Sequence, residues 1–147
     1  MTAALVAPLV PDPARRLVYA GLVPFVAGAL LVWFVRPDAH PYVALALSSY
    51  AAVVVSFLGA IHWGIALREA VPPPSLFGWG VVPPLVAWLA SMMPADAGLV
   101  IHGAMLCACY AVDRRVYPRH GLAGWLTLRF RLSMVAALAC FLGAAGS

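Results

Sequence analysis

Lysine is absent from this chain, and only five residues are acidic: Asp12, Asp38, Glu69, Asp96 and Asp113. With 65% of its 147 residues apolar, the chain has too few charges to build a water-facing surface, which excludes a soluble globular domain. The three cysteines, Cys107, Cys109 and Cys140, contain no CxxC pair. Cys107 and Cys109 are two apart on one helix and point to different faces, so neither a disulfide nor a cysteine metal site follows. No GxSxG, HExxH or phosphate-binding glycine loop occurs, and no nucleic-acid module. Each acidic residue lies at the end of an apolar run or in a loop, so no carboxylate pair is placed for acid and base work within a bilayer. An enzyme acting on a lipid or isoprenoid therefore ranks last among the functional readings. Arg15 and Arg16 follow the apolar amino-terminal decapeptide instead of preceding it, the wrong order for a secretory signal. Asp12 between Pro11 and Pro13 reads as an extended lead-in.

What the chain does have is long apolar runs. A helix rises about 1.5 Å per residue and hydrocarbon is roughly 30 Å thick, so a span needs about 20 residues. Runs at 17–35, 41–67, 76–93 and 97–112 are of that order, and a fifth extends over 124–145 if Arg129 and Arg131 snorkel to the headgroups from its first turns. The runs are continuously apolar, not alternating, so the expected fold class is all-α: one five-helix transmembrane bundle. Eight of the nine arginines flank one end of these runs and only Arg36 the other. By the positive-inside rule the amino terminus is inside and the carboxyl terminus outside.

Along the second run, Ala44, Ser48, Ala52, Ser56, Ala60 and Gly64 recur every four residues. They predict a stripe of small residues against which a neighbouring backbone packs, within the chain or across a homodimer seam. Pro24, His62, Pro83 and Pro84 all fall roughly 9 to 12 Å from the cytoplasmic edge at about 1.5 Å per residue. The three prolines kink their helices and strip amide partners from the carbonyls of Ala20, Trp79 and Gly80, which His62 is placed to serve. In one reading a cytoplasm-facing cavity is walled by Trp63, Trp79 and Trp88, holds His62, and has Arg129 or Arg131 at its mouth. It would suit a lipid, quinone or other amphipathic molecule. In the other, His62 caps a kinked helix, the tryptophans form an interfacial belt, and the arginines set topology. The run Asp113, Arg114, Arg115 reads as a helix end with its charges in water and against anionic lipid. Haem b through His62 and His102 is disfavoured, because their depths differ by roughly 7 Å at about 1.5 Å per residue; no cofactor is expected.

The stretches SYAAVVVSFLGAIHWG (Ser49 to Gly64), WGVVPPLVAW (Trp79 to Trp88) and WLTLRFRLS (Trp125 to Ser133), with Pro41 and Tyr42, resemble a family of small membrane proteins of unknown function. That family includes the mitochondrial transmembrane protein 69 and bacterial relatives. The resemblance covers most of the chain from about Pro24 onward; Ala60 stands where relatives tend to carry a second glycine. It implies a multi-pass protein of the bacterial inner membrane or the mitochondrial inner membrane, and no established activity. Two functions stay open: a non-enzymatic accessory or assembly protein of a larger membrane complex, or a binder or carrier of an amphipathic small molecule near His62.

Overall fold

The computed structural model of the chain describes residues 9–147. These form six α-helices and two short 3-10 turns, and among the described residues there is no strand. The helices are α1 (Asp12–Ala20), α2 (Val23–Phe34), α3 (His40–Ala66), α4 (Pro74–Ser91), α5 (Ala95–Val116) and α6 (Leu126–Gly146). Pro11 is extended, but Asp12 already opens helix α1 instead of belonging to the lead-in, because Pro13 falls in the first turn, where no intrahelical amide is required. The apolar residues before it, 1–8, lie outside the described part.

Four helical stretches are long and apolar enough to cross a membrane: α1 with α2 taken together, α3, α5 with its following turn, and α6 with its preceding turn. Helix α4 falls outside that set. Its eighteen residues include Pro83, Pro84, two glycines and two tryptophans, which dilute its hydropathy. Large apolar side chains face outward along the bundle, among them Leu30, Leu45, Val53, Phe57, Leu85 and Leu138. Lipid, not water, is the solvent that such a surface requires.

Pro24 does more than kink the first stretch. The chain breaks at Gly21–Leu22, and α2 restarts with Pro24 in its first turn. The donor that serves this break is not His62 but Tyr50, whose hydroxyl donates to the Gly21 carbonyl at 2.7 Å.

Helix α3 is central, packing against α2, α4, α5 and α6. Its buried face runs through Ala44, Ser48, Ala51, Val55, Leu58 and His62 in alternating steps of three and four. The stripe expected at every fourth residue is not straight. Four residues turn a helix about 40° past a full revolution, so five such steps carry the stripe roughly 200° around the axis. Ala44 and Ser48 are accordingly buried, Ala52 and Ser56 are half-buried, and Ala60 and Gly64 are exposed. Nothing stands within 4 Å of where a Gly64 Cβ would be.

The close approach falls instead at Gly59. A Cβ there would lie 2.7 Å from the Gly80 carbonyl, 3.0 Å from Pro84 and 3.2 Å from Pro83. That carbonyl is the one Pro84 deprives of its amide, and the α3 backbone packs directly over it. Gly59→Val should therefore lower stability by about 1–3 kcal/mol through overpacking, whereas Gly64→Ala should stay within about 0.5 kcal/mol. Thermal unfolding of the two variants in the same detergent checks the contrast.

Candidate functional site

Helix α5 continues one turn beyond the apolar run, and that turn carries Asp113 into the bundle. The 3-10 turn Tyr117–His120 follows, then Gly121 at φ 73°, a left-handed conformation that glycine adopts without strain. The Leu122 amide donates back to the Tyr117 carbonyl at 2.9 Å and closes the turn. The second 3-10 turn, Ala123–Trp125, leads into α6. This connection folds α6 back along α5 and sets Arg129, in the first turns of α6, opposite Asp113.

Asp113 is fully buried, and Arg129 is only 7% exposed. Arg129 Nη2 donates to Asp113 Oδ2 at 2.6 Å and Nε donates to the same oxygen at 3.2 Å. Its Nη1 donates to Ser133 Oγ at 3.1 Å, one turn along α6. Asp113 Oδ1 is 2.8 Å from His62 Nε2 on α3. That contact sets the imidazole with a proton on Nε2, so in its neutral form Nδ1 is an acceptor; among the described residues Nδ1 has no partner. Tyr117 is buried beside Asp113 and Arg129. Three helices are thereby joined by one buried polar network.

The structure separates the residues that the sequence groups together. His62 is inside but is paired with Asp113, not with a kinked carbonyl. Asp113, read from the sequence as solvated, is buried, while Arg114 and Arg115 are exposed as expected of a helix end. Arg129 does not snorkel; an anion deep in the bundle holds it there. Arg131 is exposed, with Nη1 3.4 Å from the Tyr19 hydroxyl. Trp63 lies on the outside of α3 and donates from Nε1 to the Phe77 carbonyl at 3.0 Å. Trp79 is half-buried against the core, and Trp88 is 59% exposed on another face. The three tryptophans wall no common space: Gly59 is seated on Gly80, Pro83 and Pro84, and Trp88 lines a separate groove of about 300 Å³ with Ala52, Ser56 and Ser91.

A cavity of about 650 Å³ lies on the opposite side of α3, bounded by α1, α2, α3, α6 and the α5–α6 turn. Its walls are apolar, with Leu22, Phe25, Val54, Leu58 and Leu132 among them, and Arg129, Ser133 and Tyr117 also line it. Leu17 and Phe57, both largely exposed, border its outer side. Tyr50 ties the α1–α2 junction to α3 at one side of the cavity, while α1 itself packs against α6.

The second buried histidine, His102, stands elsewhere, with Nδ1 3.3 Å from Ser48 Oγ and Nε2 3.4 Å from the Ala87 carbonyl. Among the described residues no group of three or more His, Cys, Asp or Glu side chains could hold a metal ion. Sequence reasoning missed Asp113 because the apolar run stops at Val112. The available signal was the helical register: one more turn of α5 puts a rare acid at the level of His62.

Residues 10–145 match the model of a family described as protein of unknown function, DUF3429. Transmembrane protein 69 of Xenopus tropicalis is 37% identical over 136 residues, covering 86% of this chain and 51% of that protein. Transmembrane protein 69 of Mus musculus is 33% identical over 84 residues, 49% of this chain and 34% of that protein. The chain thus spans about half the length, or less, of these curated relatives. No solved structure matches.

Removing one member of a buried ion pair leaves the other uncompensated, at about 3–5 kcal/mol, whereas replacing both with apolar residues is often neutral. Arg129→Met should therefore destabilise the protein by about that amount, and adding Asp113→Leu should recover most of the loss. A double-mutant cycle on thermal or denaturant unfolding in detergent measures the coupling.

Proposed function

We propose, for a chain that belongs to the DUF3429 family of proteins of unknown function, that it is a five-span inner-membrane protein that binds an amphipathic small molecule. The membrane is the bacterial cytoplasmic membrane, or the mitochondrial inner membrane if the source is eukaryotic. The observation that carries the reading is the cavity of about 650 Å³, apolar along its walls and polar at Arg129 and Ser133. Its volume falls within the range of about 300–1,000 Å³ typical of small-molecule sites. The site lies between α1–α2, α3 and α6, not among Trp63, Trp79 and Trp88. His62 acts from behind it, through Asp113 and Arg129.

Helix α4 counts as the fifth span, since eighteen residues at about 1.5 Å each reach about 27 Å, close to the hydrocarbon thickness. The amino terminus is cytoplasmic and the carboxyl terminus outside, supported by Arg15, Arg16, Arg68, Arg114, Arg115, Arg119 and Arg131 at one end against Arg36 at the other. No haem enters this reading, because His62 Nε2 is engaged by Asp113 and His102 contacts Ser48 and Ala87.

A second reading, a non-enzymatic accessory or assembly protein, draws on the open space over Gly64 and Gly78, where another backbone could approach. Native mass spectrometry from mild detergent separates the two. A retained small molecule, lost on cavity-filling Val54→Trp, is the expected result. A ligand-free protein with a stoichiometric protein partner, or a homodimer, favours the second reading. For orientation, a carboxyl-terminal alkaline phosphatase fusion in a bacterial host should be active, and a green fluorescent protein fusion at the same point dark.

A further inference from the structure

The polar end of the cavity is more selective than its walls. Arg129 has five N–H groups; two face Asp113 Oδ2 and one faces Ser133 Oγ. The Tyr117 hydroxyl, buried beside them, also accepts a hydrogen bond from the guanidinium, so among the described residues one terminal N–H is left without a partner. Ser133 is 1% exposed, and its oxygen accepts from Arg129, so its own proton is also available for donation. The polar end therefore offers donors.

Charge narrows the choice further. The guanidinium is already countered by Asp113 at 2.6 Å, so an anionic head would set a second negative charge against one buried cation and beside a carboxylate. That arrangement carries a desolvation cost with little attraction to offset it. A cationic head gains nothing either, because both Asp113 oxygens are engaged by Arg129 and His62 and the residue is fully buried. An uncharged head with carbonyl oxygens meets those donors without adding a charge to be buried. The Phe25 and Tyr50 rings, packed edge to face at 5.0 Å, add flat apolar surface along the way in, and a tail can leave beside Leu17 and Phe57.

We infer that the cavity takes an uncharged lipid whose head presents carbonyl oxygens, the class of the isoprenoid quinones and diacylglycerols, with those oxygens accepting from Arg129 and Ser133. The inference rests on the amphiphile-binding reading and specifies its ligand class. The test is titration of the full chain in lipid nanodiscs with decylubiquinone, dioleoylglycerol, oleate and dioleoyl phosphatidate. Either neutral carbonyl probe should bind about tenfold more tightly than both anions, and Ser133→Ala should weaken it by about fivefold to tenfold, the range of a single hydrogen bond. Val54→Trp should abolish binding of every probe. Tighter binding of oleate or phosphatidate overturns the ligand class while leaving an amphiphile site standing. Neutral-probe binding unmoved by Ser133→Ala and by Val54→Trp puts the probe elsewhere and overturns the assignment. If no probe binds the folded parent protein, the amphiphile reading itself falls.

Discussion

Asp113 and Arg129 each sit at the unfavourable end of a helix. The last turn of α5 presents carbonyls, which disfavour an anion, and the first turns of α6 lie near amides, which disfavour a cation. Neither charge is stable there alone in an apolar interior. Facing each other at 2.6 Å, they neutralise, and the α5–α6 turn that makes them face each other becomes a requirement of the fold. Ser133 takes a third guanidinium proton and His62 takes the second carboxylate oxygen, so that α3 is tied to the same network. The register of three helices thus depends on one carboxylate.

The two sides of α3 have different characters for a related reason. Toward α4 the contact is tight at Gly59, which meets the Gly80 carbonyl and the rings of the two prolines. Toward α1 and α2 the contact is open, and the cavity there is lined by side chains of α1, α2, α3 and α6 and by Gly21. An apolar chamber with one charged but internally neutralised end is the outcome. Its chemistry is set by which Arg129 proton remains once Asp113, Ser133 and Tyr117 have taken theirs.

Much of the frame was legible. The apolar runs identify a helical membrane protein, and His62 and Pro24 stand out in them as a polar group and a missing amide that need partners, whereas Arg129 reads from the sequence as a headgroup-directed side chain and is instead buried. Their partners were not legible. His62 was matched to proline-freed carbonyls at the same depth, but depth is one coordinate, and Asp113 won because a carboxylate on a facing helix is the stronger acceptor. The small-residue stripe failed over distance: its first residues are buried, but the winding of a four-residue step carries Ala60 and Gly64 to the surface. Trp63 and Trp79 were grouped by level, and Trp88 stands nine residues beyond Trp79 on α4, about 13 Å farther along the axis and on another face.

By itself, then, the sequence determined the solvent, the helices and the scarcity of charge, since these follow from hydropathy, length and composition, all local along the chain. Only the tertiary structure decided that Asp113 lies inside, that Arg129 points inward, and that the open side of α3 is the one facing α1 and α2. Each of those depends on the rotation of one helix about its axis relative to another. That rotation is set by where Gly59 permits close approach and where two buried charges must meet.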